Sequence, residues 1–277
     1  MIPRAARALA GMVPIVGLAA GLTLAARYAR RGAAVHETGP AAAAQEPEGL
    51  NPPYDARFHF VRIRFTPTGR GFGRFGGFGR GGRGMPPWMH DYPRAEYHFL
   101  RILDETTLIH PHLDGSHILT TDDPELLKYP VAYIVEVGFW NPTEEEVHGL
   151  RSYLLKGGFL IVDDFRSPWE LDNFEFQMRR VLPGSRLIRL DAGQEIFDTF
   201  FRIASLDLAP PTYPQFTPVY YGIFEDNDAT KRMMVIVNHN NDVAEYWEWS
   251  DRGYYPIDLS NDAYKLGVNY VIYGLTH

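Results

Sequence analysis

The chain contains no cysteine. That absence excludes disulfides, thiolate metal sites, thiol redox chemistry and any cysteine nucleophile. It does not fix the compartment, since an exported protein can lack disulfides. Acidic residues are scarce at the start. Twelve arginines, no lysine and four acidic residues lie up to His90, whereas fifteen basic and thirty acidic residues follow it. The two parts therefore face different partners. There is no internal repeat, no H-E-x-x-H pattern and no cofactor-binding signature, so no cofactor is expected. What remains is a chain of 277 residues, 45% hydrophobic and 14% aromatic, long enough to bury a sizeable core.

The longest uncharged apolar run is Ala8 to Ala26, with Arg4 and Arg7 before it and Arg27, Arg30 and Arg31 after it. At about 1.5 Å per residue such a helix is about 28 Å long, close to the thickness of a bilayer's hydrocarbon layer. A cleaved signal peptide is the plainer alternative, and "PAAAAQ" (Pro40 to Gln45) offers a small-residue cleavage site. The length of the run and the arginines that follow it favour an uncleaved single-pass anchor (residues 1–32) in a bacterial inner membrane. Gly17 and Gly21 have the G-x-x-x-G spacing that lets a second helix approach closely. The flanking charges nearly balance. The order of a charged segment and then an apolar one places the following domain on the periplasmic side. Residues 33–56, rich in Ala, Pro and Gly, read as a flexible tether.

Residues 57–277 alternate strand and helix signals. "RFHFVRIRF" (Arg57 to Phe65) reads as a half-buried strand that turns its arginines to solvent. "YPVAYIVEVGFW" holds a β-branched run, Val131 to Val137, as expected of a strand covered on both faces. In "NPTEEEVHGLRSYLLKGG", Thr143 is placed to cap a helix whose first turn is acidic and which ends near Gly157. "FLIVDDF" is the next buried strand. A strand, helix and strand in this order imply a parallel pair joined by a right-handed crossover, hence an α/β domain. Later segments read as a helix (Glu170 to Pro183), a short strand (Ser185 to Leu190), a short helix (Gln194 to Ile203), a strand (Arg232 to Asn240) and a closing helix (Asn261 to Leu275). Leu208 to Gly222, rich in proline, reads as a long loop or insertion.

Taken together, "YPRAEYHFLRILDETT", "LRSYLLKGGFLIVDD" and "LGVNYVIY" resemble domain-of-unknown-function family 4159, a bacterial family, over roughly Arg57 to His277. The resemblance implies a flavodoxin-like, open and mostly parallel sheet of the class I glutamine amidotransferase type. It implies no activity. Amidotransferase chemistry needs a thiol after a strand, and here that strand runs into Asp163 and Asp164 instead.

Asp163 and Asp164 stand where open α/β sheets bind ligands, beyond the carboxyl ends of strands. With Glu136, His239 and Asp242 they compose a candidate metal or acid/base site for a hard or borderline cation. The alternative is that the acids cap helices or bind loop amides. "VNHNND" (Val237 to Asp242) places His239 and Asn240 either at a ligand or in a turn. In "IHPHLDGSH", His110, His112 and His117 are either metal ligands or exposed loop histidines. "EYWEWSDRGYYP" offers Trp247 and Trp249 to a partner, or else packs alternate aromatics of a strand into the core.

"GRGFGRFGGFGRGGRG" (residues 69–84) contains only Gly, Arg and Phe. Such a segment cannot build a core, and binding to nucleic acid is disfavoured beside so acidic a domain. Arg70, Arg74, Arg80 and Arg83 suit lipid phosphates or acidic protein surfaces, while Phe72, Phe75 and Phe78 suit apolar crevices; the alternative is a disordered hairpin extension that meets no partner. The expectation is a non-enzymatic accessory subunit of a larger membrane assembly, of which the respiratory or photosynthetic type is one setting. Its partners are membrane protein subunits, and lipid through residues 8–26. A metal-dependent hydrolase using Asp163, Asp164 and His239 is the alternative, as is a periplasmic module that binds a carbohydrate or small ligand.

Overall fold

A computed structural model describes residues 51–67, 85–208 and 215–277. The apolar run at 8–26 and the arm at 69–84, with Gly17, Gly21 and the arm's Arg and Phe residues, lie outside them. Among the described residues no helix is long and apolar enough to cross a membrane.

The apolar runs build a seven-stranded sheet in the order β2-β1-β3-β4-β7-β6-β5. Its strands are β1 (Val61–Ile63), β2 (His117–Leu119), β3 (Val131–Val135), β4 (Phe159–Phe165), β5 (Ile188–Arg189), β6 (Val219–Phe224) and β7 (Met233–His239). The neighbours from β2 through β1, β3 and β4 to β7 are parallel, and β6 runs antiparallel to both β7 and β5. The domain is therefore mixed α/β with a mostly parallel sheet.

Helices cover both faces, which is why the central strands are apolar throughout rather than alternating. On β3, Val131, Tyr133 and Val135 join one core with Phe99, Trp247 and Tyr270. Ala132 and Ile134 join the other, with Leu150 and Phe174. The first core is covered by α1 (Arg94–Thr106), α4 (Val243–Glu248) and α5 (Ile257–Thr276), the second by α2 (Glu144–Leu155) and α3 (Ser167–Val181). The start of α2 is fixed by a reciprocal cap: Thr143 accepts from the Glu146 amide, and Glu146 accepts from the Thr143 amide at 2.8 Å. Gly157, at φ 105°, lets the chain leave that helix.

Three local expectations change. Val219–Phe224, whose residues up to Gly222 are expected in the proline-rich loop, is a strand that pairs on both sides. The aromatic segment from Val243 is a short helix, not a strand. Arg62, expected to face water, is fully buried, because the helix α1 and the turn before it cover its face of β1.

The burial of Arg62 has consequences. Its guanidinium pairs with Glu96 of α1, which is 2% exposed, and donates to the carbonyls of Trp88 (3.0 Å) and His90 (2.9 Å). It also lies 5.1 Å from the Tyr133 ring centre. This one side chain ties β1, the turn before α1 and α1 itself together. Removing the countercharge strands a buried cation, which typically costs about 3–5 kcal/mol. Glu96→Gln is therefore expected to lower unfolding free energy by about that amount in a urea titration. A loss below about 1 kcal/mol would contradict a paired buried charge.

Candidate functional site at the carboxyl edge of the sheet

The carboxyl ends of β3, β4 and β7 share one edge, and the acidic residues of the chain converge there. Asp163 and Asp164 close β4. Asp242 follows β7 and caps α4, accepting from the Glu245 amide at 3.1 Å. His90 and Asp91 arrive from the turn before α1, held through the His90 carbonyl by Arg62. Asp163, Asp164 and Asp242 are fully buried, Asp91 is 5% exposed and His90 8%.

The two adjacent aspartates have different tasks. Asp163 accepts from the Tyr133 hydroxyl (2.9 Å), the Asn238 amide (3.1 Å) and the backbone amides of Val243 (3.0 Å) and Ala244 (3.1 Å). It is a clamp that fixes β3, β7 and the start of α4 to β4. Asp164 breaks the strand's alternation. It sits at φ 47° within a register shift between β4 and β7, so consecutive carboxyl groups go to different neighbours. Asp164 meets the Nδ1 of His90 at 2.6 Å, and Asp91 lies 3.3 Å from the same nitrogen. Asp91, Glu136, Asp164, Ser167 and Asn240, all near this edge, adopt left-handed backbone angles. Such conformations cluster where a site dictates them.

One potential ligand atom from each of His90, Asp91, Asp164 and Asp242 falls within a 4.8 Å sphere of mutual distance. A second set of the same kind contains Asp91, Glu245 and Glu248, so Asp91 belongs to both. The second set is less buried, and Glu245 there accepts from the Tyr255 hydroxyl at 2.7 Å. Two like charges 4.8 Å apart repel by about 3 kcal/mol at an effective dielectric of about 20. The cluster cannot hold all its carboxylates ionised without positive charge or protons. Burial and the charge of Asp164 push Asp163 up to about 6. Burial and the charges of Asp164 and Asp91 push Asp242 well above the carboxylate range. Burial and Asp91 push Glu248 up to about 8. For His90, burial acts downward, but Asp164 and Asp91 outweigh it and carry the imidazole well above its ordinary range. In chemical terms this is an oxygen-rich nest with one imidazole, suited to a hard or borderline divalent cation.

Of the residues named from the sequence, Asp163, Asp164 and Asp242 meet here. His239 does not join them. Its Nε2 donates to the Ser167 carbonyl at 3.1 Å and its ring rests against Phe165, on the other side of the strand from Asn238. The imidazole at the site is His90, and neither it nor Asp91, Glu245 or Glu248 stands out in the sequence as a site residue. Asn240 makes a left-handed turn whose side chain accepts from the Ser167 amide. Glu136 takes the same backbone form at the end of β3, with its amide donating to the Asp164 carbonyl at 3.1 Å. Trp247 is 2% exposed and stacked on Phe99 with ring centres 4.4 Å apart, so it offers no surface to a partner. Trp249 is partly exposed beneath the Arg94 guanidinium. His110 lies at the surface beside Asp104, whereas His112 and His117 are buried at the opposite edge of the sheet.

A family model described as a domain of unknown function (DUF4159) matches residues 80–275. The chain belongs to the DUF4159 family. No curated protein matches it. The DUF4159 match takes in every residue of the acidic cluster, from His90 to Glu248, and leaves β1 with Arg62 outside.

The raised carboxyl groups set a direction for stability against pH. A group whose pKa is higher in the folded state contributes stability that is complete below its unfolded pKa and is lost as pH rises through the folded value. For Asp163 that window runs from 3.8 to about 6, and for Glu248 from 4.5 to about 8. In chelator, the thermal midpoint is expected to fall as pH is raised from about 4 to about 8, and Asp242→Asn is expected to flatten the fall. A midpoint that climbs across this range would contradict the crowding of charge described above.

Proposed function

We propose that the chain is a membrane-tethered, extracytoplasmic accessory subunit of a larger membrane assembly, and that its α/β domain holds a divalent cation at the carboxyl edge of the sheet. The sheet is read as a flavodoxin-like variant of the class I glutamine amidotransferase type. Asp163 and Asp164 stand where that chemistry would need a thiol. The tether rests on the apolar run Ala8 to Ala26 with its flanking arginines, and on the contrast between a basic N-terminal part and an acidic remainder.

The observation that carries the reading is the burial of His90, Asp91, Asp164 and Asp242 in mutual ligand distance. A cation in so closed a nest neutralises the acids and couples its binding to folding, as a structural ion does. The Gly-Arg-Phe arm then supplies contacts to lipid phosphate or acidic neighbours.

A second reading, a metal-dependent hydrolase, is favoured by one specific feature. Asp91 is shared with Glu245 and Glu248, which are partly exposed, and this gives the nest an outlet to solvent. A cation held there would lower the pKa of a bound water and so supply a nucleophile near neutral pH.

Purification of the full-length chain in mild detergent, with elemental analysis, separates these readings. Co-elution with membrane subunits is expected, with about one more divalent ion per chain than in Asp164→Asn, Asp242→Asn. Elution as a lone monomer would overturn the accessory role. A metal-free chain whose thermal midpoint ignores added Mn²⁺ and Mg²⁺ would overturn the cation. Phosphoester or carboxylic ester cleavage that disappears in the same double variant would establish the hydrolase.

A further inference from the structure

A second group of ligating side chains lies at the amino-terminal edge of the sheet, away from the acidic nest. His59 precedes β1 and is fully buried, His117 opens β2 at 1% exposure, and His112 is 8% exposed. The His59 ring stacks on His112 with centres 4.7 Å apart and meets His117 edge-on at 4.5 Å. Asp55 reaches the same place from the segment before β1, its carboxylate 2.7 Å from the Nε2 of His59 and 3.5 Å from the Nδ1 of His112. One ligand atom each from Asp55, His59 and His112 lies within 4.8 Å of the others.

Packing does not account for this group. Pro52 offers only a carbonyl, so the His117 Nε2 at 2.8 Å must donate to it, and a neutral ring then leaves the Nδ1 lone pair bare. Among the described residues that nitrogen, the Nδ1 of His59 and the Nε2 of His112 are all buried without a hydrogen-bond partner. Buried polar atoms are rarely left so.

We propose that Asp55, His59 and His112, with the His117 ring beside them, bind a borderline transition ion such as Zn²⁺, the class that imidazole and one carboxylate prefer. The site is distinct in chemistry from the oxygen-rich nest across the sheet. Arg57 is its competitor. The guanidinium is 2.5 Å from Asp55 and 3.1 Å from the Nδ1 of His112, yet its side chain is 51% exposed and free to swing outward when a cation arrives. The ion would pin the incoming segment to the sheet at a point where Asn51 already makes paired hydrogen bonds, both 2.9 Å, with the backbone of Ile118.

Zinc titrated into the full-length chain in detergent tests the site. One equivalent is expected to bind and to survive Asp164→Asn, Asp242→Asn. Its affinity should fall about a hundredfold or more in His59→Gln and in His112→Gln. Arg57→Ala should raise it about tenfold, since a like charge leaves; a site built only for packing would not respond in that direction. X-ray absorption at the zinc edge reads the ligands in the wild-type chain, whatever the variants do to folding. At least two imidazoles per zinc are expected at one equivalent. None or one, or an affinity unchanged in both histidine variants, would overturn the proposal.

Discussion

Mutual repulsion among buried carboxylates is the constraint on which the rest of this domain depends. Asp91, Asp163, Asp164 and Asp242 sit together with little or no exposure, in a part of the molecule where each additional negative charge raises the cost of the others. Three devices offset the repulsion. Asp163 is absorbed into hydrogen bonds from Tyr133, Asn238 and the first amides of α4. His90 supplies an imidazolium to Asp164 and Asp91. The remaining charge is met by retained protons or by a cation.

The placement of those groups is a property of the whole sheet. β4 provides consecutive aspartates, and the left-handed turn at Asp164 aims them apart. β7 and the start of α4 bring Asp242. His90 and Asp91 lie far from Asp164 in sequence, and the Arg62 guanidinium helps to hold the turn that carries them to it. A buried ion pair at Arg62 and Glu96 is a poor investment for stability alone, since an apolar replacement often serves as well. Its value here is positional, because it anchors the loop that delivers the imidazole.

Much of the scaffold was legible in the sequence. The run Val131 to Val137, the capping pattern from Thr143 to Glu146 and the run ending in Asp163 and Asp164 specify a strand, a helix and a parallel strand by local chemistry alone. β6 was not legible, because Tyr220 and Gly222 follow closely on prolines and the strand is made by its pairing with β5 and β7. Arg62 was misjudged for a related reason. Alternation assigns polar residues to solvent, and only the tertiary fold lays α1 and the turn before it over that face of β1. The acids at strand ends could be singled out by position, whereas His90 could not. Nothing near "MHDYP" distinguishes a ligand from a turn until the tertiary fold supplies Asp164. The same holds for His59, which meets His112 and His117 only across two strands.

The central claim is that a cation replaces protons in the nest at the carboxyl edge. Calorimetric titration of Mn²⁺ into the full-length chain, in buffers of different ionisation enthalpy near pH 6, measures both the binding and the protons exchanged. Saturable binding is expected, with net proton release that disappears when Asp164 and Asp242 are both changed to asparagine, because the raised Asp242 carboxyl must ionise and the His90 imidazolium must lose its proton to ligate the metal. Binding without proton release, or no binding at all, would contradict it.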